Sequence, residues 1–362
     1  MKKLRWIKIF FDWFTLLHNF YFVMILLLLC IPLLIFNLLW LVIFILFITI
    51  LSFPNKRIFK NKYFSILYIF FFVVFLAIFI RVFLIEIYTI NSSSMENAIE
   101  KNDKVIISKL HYGPLVSLSF IDIPWVGPIL KSVGFNKQST SSLRLKGFSN
   151  IKRNDIVLFQ RPNSNFLVKR CVGLPGETIK IYNDVLIINQ KVLKEPPTVK
   201  NLYHIAFGNS QVMLAKINHT HINITGKFLF KDSIQLQAYL TNQEKLQLCQ
   251  LTPSKHFAMK KKSLYKWNKS LNWNNIDFGP MLAPKRGTRI KWTKFNYYTY
   301  FGLVMTFEGV PNIDLSQIYL KDYIFKKNYY FFLGDNRSMS IDSRFWGLIP
   351  EEKIIGKVIQ VF

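Results

Sequence analysis

Three short segments carry side chains able to break covalent bonds. Asn91-Ser92-Ser93-Ser94-Met95 is rich in hydroxyls and follows a long apolar run. Phe166-Leu167-Val168-Lys169-Arg170 is an apolar, strand-like stretch ending on cations, and Gly173-Leu174-Pro175-Gly176 comes just after it. Gly334 to Gly347 gathers Asp335, Asn336, Arg337, Ser340, Asp342 and Arg344. A serine hydroxyl becomes a nucleophile only when a base takes its proton. No Gly-x-Ser-x-Gly elbow is present. His111 is the nearest histidine after Ser94, and no aspartate sits in a context that marks a triad orienter. Lysine can serve as the base where burial disfavours its charged form. Lys169 has apolar strand neighbours, so the chemistry these residue types suggest is that of a serine–lysine hydrolase working at a membrane surface.

The elements before Ser94 explain the membrane. From Phe20 to Phe53 the chain is almost wholly apolar, longer than the roughly 20 residues one span requires. Pro32 and Asn37 fall near its middle, so it reads either as one long tilted helix or as a hairpin of two short spans. A basic loop follows, with Lys56, Arg57, Lys60 and Lys62, and then a second apolar run from Phe64 to Ile85. Basic loops stay in the cytoplasm, so the second run carries Ser94 and everything after it to the outer face. The basic N-terminus, with Lys2, Lys3, Arg5 and Lys8, favours the hairpin or an interfacial first helix. The apolar core is too long for a cleaved secretory signal and no small-residue cleavage site follows it. Arg81 stands near the outer end of its run, where it can snorkel and pair with Glu86.

The remainder reads as mostly β. Asp103–Lys109, Asp155–Phe159 and Ile179–Tyr182 alternate like strands, and an Asn183-Asp184 turn leads into Val185–Ile188. Short strands separated by turns predict antiparallel sheets. Helices look minor: Pro350–Lys353 starts one short turn, and Ile354–Phe362 is the last strand. The expected organisation is a membrane anchor over residues 1–90 with its basic cytoplasmic loop at 54–63. A catalytic β core follows over 91–198, then an inserted β-rich lobe over 199–322, then the last part of the core over 323–362. Leu115–Phe135 reads either as a membrane-dipping lip or as a buried loop, and Asn136–Ser142 as a polar connection. Pro284-Lys285-Arg286-Gly287 reads as a turn between strands.

The net charge of +27 raises nucleic acid as a partner. The Lys and Arg residues are scattered through strand-like segments instead of gathered on one helix or arm, which argues against it. A basic surface facing anionic lipid headgroups fits better. The cysteines, Cys30, Cys171 and Cys249, are odd in number and scattered, which is not a disulfide framework, although an oxidising compartment would allow Cys171 to pair with Cys249. His219 and His221 alternate as on a strand face and read as solvated, not as a metal site.

In order, spacing and membrane context the three segments resemble the signature boxes of bacterial type I signal peptidases, the leader peptidases. That family has a Ser-Met pair just after a transmembrane helix, here Ser94-Met95. It has Lys-Arg leading into Gly-x-Pro-Gly, here Lys169-Arg170 with Gly173 to Gly176. It has a late Gly-Asp-Asn-Arg segment, here Gly334 to Gly347, and a further box matched by Asn154–Phe159. Tyr112-Gly113-Pro114 and Lys146-Gly147-Phe148 look most like the Bacteroidetes branch.

The resemblance implies a signal-peptidase-like β fold anchored by N-terminal transmembrane helices in the bacterial cytoplasmic membrane, with the catalytic domain outside. It implies Ser94 as nucleophile and Lys169 as general base. Ser92 and the Ser94 N–H would form the oxyanion hole, and Ser340 would orient the Lys169 amine. Asp342 and Arg344 would be a supporting ion pair. Asp335, Asn336 and Arg337 would hold the loop that carries Ser340, and Met95 would pack beneath the nucleophile. Substrates would be secretory preproteins cut after small residues, near the bilayer and the secretion translocon. No metal or organic cofactor is implied.

This chain departs from the pattern at several places. Asn97-Ala98 stand where Pro-Thr often follows, Asn91 replaces a proline, Asn154 a glycine, and Ser338-Met339 a more polar pair. These departures remove no catalytic atom. They leave room for a degenerate member serving as a membrane-anchored binding or assembly factor, and His111 leaves room for a Ser–His hydrolase.

Overall fold

The computed structural model describes residues 62–117, 126–134, 142–161, 166–208, 222, 224–229, 233–251, 257–259, 271–309 and 322–362. The expected first span or hairpin at Phe20–Phe53, Cys30, the basic loop up to Asn61, Phe120, Pro124, Trp125, most of the 136–142 connection, His219 and His221 lie outside these residues.

Helix α1 (Lys62–Phe79) has 18 residues, about 27 Å at 1.5 Å per residue. The backbone then passes through a π-helical turn at Ile80–Leu84 and becomes extended at Ile85. The apolar run expected to cross from Phe64 to Ile85 is therefore not one continuous α-helix. Its end, with β-branched Ile80, Val82 and Ile85, favours extended backbone, and a strand begins inside it. Among the described residues no helix is long and apolar enough to cross a membrane. Arg81 does reach Glu86, at 3.3 Å.

The chain divides into two compact units, one of Met1–Glu86 with Gly113–Gly147, the other of Ile87–Tyr112 with Phe148–Phe362. Along the sequence come β1 (Ile85–Thr89), β2 (Lys104–Ser108), β3 (Leu115–Ser117), α2 (Val126–Ser132) and β4 (Ser142–Arg144). Next are β5 (Ile156–Gln160), β6 (Phe166–Gly173), β7 (Thr178–Tyr182), β8 (Val185–Ile188) and β9 (Lys191–Val192). A third group holds β10 (Lys200–Gly208), β11 (Ile224–Leu229), β12 (Ser233–Thr241), α3 (Asn242–Leu251) and β13 (Phe257–Met259). Then follow β14 (Phe278–Leu282), β15 (Arg289–Lys291), α4 (Lys294–Phe307) and β16 (Asp322–Ile324). The chain closes with β17 (Tyr329–Leu333), α5 (Ser343–Trp346), β18 (Ile349–Pro350) and β19 (Ile354–Val361).

In the smaller unit β3 pairs antiparallel with β4, and Leu115–Phe135 is a strand at its start and helix α2 near its end. In the larger unit a seven-stranded sheet runs β1-β2-β19-β5-β6-β17-β18, and the pairs β2–β19, β19–β5, β5–β6 and β6–β17 are antiparallel. The fold is thus mostly β, with antiparallel sheets. Apolar alternation buries both faces of this sheet. Val157 and Phe159 of β5 join one cluster with Cys171, Phe332 and Ile354. The intervening Leu158 joins another, with Ile90, Met95, Ile99, Val105, Ile107 and Val168.

A second sheet, β14-β7-β8-β9, shares its core with α4 through Ile179, Phe278, Tyr300 and Val304. The stretch 273–307 therefore packs on the same core as 172–193, while β11-β12-β10-β13 form a sheet with a core of its own around Leu236 and Leu240. Pro284–Gly287 is the expected turn, closed by Thr288 N donating to Lys285 O at 2.9 Å. The Asn183-Asp184 turn has both residues at positive φ, 46° and 69°, which matches the twist of the strands it joins. Cys171 and Cys249 are free thiols.

Candidate active site

Ser92 is extended, and Ser93–Met95 then form one 3-10 turn. Burial of Met95, 1% exposed, in the cluster with Val105, Leu158 and Val168 pins this turn to the sheet. Ala98 N and Ile99 N both donate to Met95 O, at 3.0 and 2.9 Å, closing the next turn over it. Ser94 is buried, and its carbonyl accepts from Asn336 N at 3.1 Å. The Ser94 hydroxyl lies 3.1 Å from Ser92 Oγ, and Lys169 Nζ donates to it.

Lys169 stands opposite Val157 in the β5–β6 ladder, and every residue of β6 from Val168 onward is buried. Its ammonium has little water to solvate it. Burial accordingly lowers its pKa from 10.5 to about 8; the Asp342 and Asp335 carboxylates oppose that shift and Arg344 reinforces it. The arrangement places a serine hydroxyl on an amine that is easily neutralised, which is what proton removal from an alcohol requires.

The neighbouring side chains form a fixed charged frame. Arg170 forks onto Asp335, Nε to Oδ1 at 2.7 Å and Nη2 to Oδ2 at 2.5 Å. Arg344 forks onto Asp342, with both bonds 2.8 Å long, and also donates to Asn275 O and Arg337 O. Arg337 pairs with Glu195 and donates to Gly334 O at 2.6 Å. Burial pushes the Asp342 carboxyl upward, but the Arg344 guanidinium outweighs this and holds it below the ordinary carboxylate value. With Asp335 and Asp342 both engaged by guanidinium groups, neither carboxylate is free to bind a cation.

The structure brings Ser92, Ser94, Met95, Lys169, Asp335, Asn336, Arg337, Asp342 and Arg344 together as one connected group. Ser340 behaves differently from expectation. Among the described residues its buried hydroxyl makes no hydrogen bond to Lys169; it stands beside the Asp342 carboxylate and helps to hold that group below its ordinary value. It lies against Gly334 instead, so tightly that a Cβ there would come within 2.3 Å of it. His111 has Nδ1 at 2.7 Å from Ser108 Oγ, so its serine partner is not Ser94. Sequence reasoning missed Glu96, Lys200 and Glu195. Glu96 accepts from Asn336 Nδ2 at 3.0 Å, and its only signal was adjacency to the Ser-Met pair. Lys200 and Glu195 carry no local signal.

The fold is built on antiparallel sheets, and its site sets a buried serine hydroxyl against a buried lysine amine. The profile of the family described as signal peptidase, peptidase S26, matches residues 63–264 and 301–362. The chain belongs to that family and is a peptidase. A signal peptidase I of Buchnera aphidicola subsp. Baizongia pistaciae is 27% identical over 85% of this chain and 79% of its own length. One from Rickettsia typhi is 27% identical over 79% of this chain and 75% of its own. A solved signal peptidase I from Enterococcus faecalis is 20% identical and aligns over 59% of this chain and 98% of that one, with a TM-score of 0.23.

Proposed function

We propose that the chain removes signal peptides from secretory preproteins by a Ser94–Lys169 dyad. The observation that carries this reading is the hydrogen bond between Lys169 Nζ, on a buried strand, and the buried Ser94 Oγ of the neighbouring 3-10 turn. When the amine is neutral the direction of that bond reverses and the hydroxyl donates to it. Ser94 Oγ attacks the scissile carbonyl as Lys169 takes its proton. The carbonyl oxygen becomes an oxyanion within reach of the Ser94 N–H and the Ser92 hydroxyl, a kind of donor worth about 3 kcal/mol of barrier. The Lys169 ammonium returns the proton to the departing amine, leaving an ester on Ser94. Water, deprotonated by the same amine, then releases the signal peptide's new carboxyl end. Arg170–Asp335 and Asp342–Arg344 hold the surrounding backbone in place, and Ser340 packs against Gly334.

The substrate reading extends to small residues at the first and third positions before the cut, the A-x-A pattern of signal peptides. The apolar segments before Ser94 support a membrane-anchored chain with its catalytic part on the outer face of the cytoplasmic membrane, where such substrates emerge, close to the translocon. Cleavage of a preprotein by the full chain in detergent, with the cut mapped by mass spectrometry, tests the whole reading. Ser94→Ala and Lys169→Ala are each expected to lose at least ~10³-fold in kcat. Turnover retained by either variant rules the dyad out.

A further inference from the structure

We propose that Lys200 is a positioning residue that clamps the nucleophile turn to the late Gly334–Arg337 segment and to the sheet β11-β12-β10-β13. Lys200 opens β10, and its backbone forms an isolated parallel bridge with Asn336. Lys200 N donates to Asp335 O, and Arg337 N donates to Lys200 O, both at 2.9 Å. Its side chain turns the other way along the site. Nζ lies 3.1 Å from Glu96 Oε2 and donates to Asn97 Oδ1 at 3.2 Å. An ammonium has three donors and no acceptor, so one group ties two successive residues.

Those residues are the second and third after Ser94. Glu96 also accepts from Asn336 Nδ2 at 3.0 Å, and the Ser94 carbonyl accepts from Asn336 N at 3.1 Å. The contacts close a ring through Ser94, Glu96, Lys200 and Asn336. Asn97 reverses the chain just beyond, at φ 79°. Ser94 Oγ can stay on the Lys169 amine only if this turn is held, and a misplacement of about 1 Å can cost on the order of 10²-fold in rate. The Glu96 side chain is 36% exposed and that of Lys200 12%. Replacing Lys200 leaves Glu96, which still reaches water and keeps its bond from Asn336 Nδ2, so no charge is stranded in the interior and loss of the clamp is read chiefly at the nucleophile.

This proposal rests on the Ser94–Lys169 reading, and the test separates the two. The full chain and its Lys200→Met variant are compared in preprotein cleavage. The expected result is a fall in kcat of about 10-fold with KM within about twofold. Tm should stay within about 2 °C, and the pH dependence of kcat/KM, which Lys169 sets under the dyad reading, should be the same in variant and wild type. Glu96→Gln should lower kcat similarly, and the double variant should be no slower than either single one, as expected for two ends of one contact. A Lys200→Met enzyme with unchanged kcat, a loss confined to KM, or additive losses in the double variant would overturn the proposal. Should Lys200→Met fail to fold, Glu96→Gln with the Asn97→Gly variant, which keeps the left-handed turn, carries the same comparison. Ser94→Ala and Lys169→Ala are run alongside. If those two retain turnover, the dyad falls; if they lose it while Lys200→Met does not, only the clamp falls.

Discussion

Gly334 lies directly against Ser94: a Cβ at position 334 would sit 2.4 Å from the Ser94 carbonyl oxygen and 2.3 Å from Ser340 Oγ. The backbone of the late segment and the backbone of the nucleophile turn are thus in contact with no room for a methyl group. Asn336 N bonds the same carbonyl from the next turn. Glycine stands here for space, since its neighbours on both sides cannot withdraw without moving Ser94.

Gly334→Ala is therefore expected to cost about 10²-fold in kcat and to lower Tm, measured by preprotein cleavage and thermal denaturation of the full chain. Gly302→Ala is the contrast. Gly302 lies on the exposed side of α4, and a Cβ there meets nothing within 4 Å. That change should stabilise the protein by roughly 0.5–1 kcal/mol, the ordinary gain for alanine over glycine in a helix. Activity lost equally in both variants would show that the Gly334 contact has no special bearing on the site.

The acid–base behaviour of Lys169 gives a second test. Its pKa of about 8 predicts that kcat/KM rises with pH and levels off above about 8, because only the neutral amine accepts the Ser94 proton. The stability effect has the same sign. Between about 8 and 10.5 the unfolded chain holds a proton on Lys169 that the folded chain has released, so stability increases with pH across that window. Below it both states are protonated, and the folded state carries the full burden of a buried charge. Lys169→Met should remove this dependence while abolishing cleavage. A wild-type rate that is flat from pH 7 to 9 would contradict the assignment.

The residues that the structure brings together could be named beforehand because the family resemblance is carried by short local segments. Ser94-Met95, Lys169-Arg170 and Asp342–Arg344 each occupy a few adjacent positions, and alternation marked β2, β5, β7 and β8. What was not legible depends on long-range packing. Helix α4 reads Lys-Phe-Asn-Tyr-Tyr-Thr-Tyr-Phe-Gly-Leu-Val-Met-Thr-Phe, a composition rich in aromatic and β-branched residues that favours strands. It is a helix because Thr293 caps it, accepting from Asn296 N at 3.1 Å, and because Tyr300, Leu303 and Val304 fall on one buried face. Lys200 meets Asn97 across 103 residues and had no pattern to announce it. The end of the second apolar run was misjudged for a related reason. Hydropathy measures how apolar a segment is, not where a helix gives way to a strand.

Asp342 and Arg344 form a pair with side chains 0% and 1% exposed. Such a pair adds little over well-packed apolar residues, yet removing one partner strands a buried charge. Asp342→Asn is expected to destabilise the chain by about 3–5 kcal/mol at pH 7, measured by urea denaturation. The carboxyl's pKa is held down in the folded state. Its contribution is therefore complete above the unfolded value near 4 and is lost as pH falls through the folded value. The gap between wild type and Asp342→Asn should accordingly shrink on acidification. A gap that widens toward low pH would argue against the pair as the source of that stability.

Asn154 tests the claim that backbone shape, and not side-chain chemistry, explains a departure from the family pattern. It occupies the position where glycine is usual, at φ 70°. Left-handed backbone costs an ordinary residue roughly 1–2 kcal/mol, and asparagine and glycine tolerate it best. The conformation is also tied to the site. Asn154 N donates to Cys171 O at 2.8 Å, and Asn154 O accepts from Arg170 Nη1 at 2.9 Å, so this turn helps to aim the guanidinium that forks onto Asp335. Asn154→Gly keeps both backbone bonds at no steric cost, and should leave Tm and kcat close to wild type. Asn154→Ala must either adopt the strained conformation or release Arg170, and should lose about 1 kcal/mol. Thermal denaturation of the two variants side by side decides the matter. If glycine proves as damaging as alanine, the asparagine side chain itself is required, and the turn's conformation does not account for its presence.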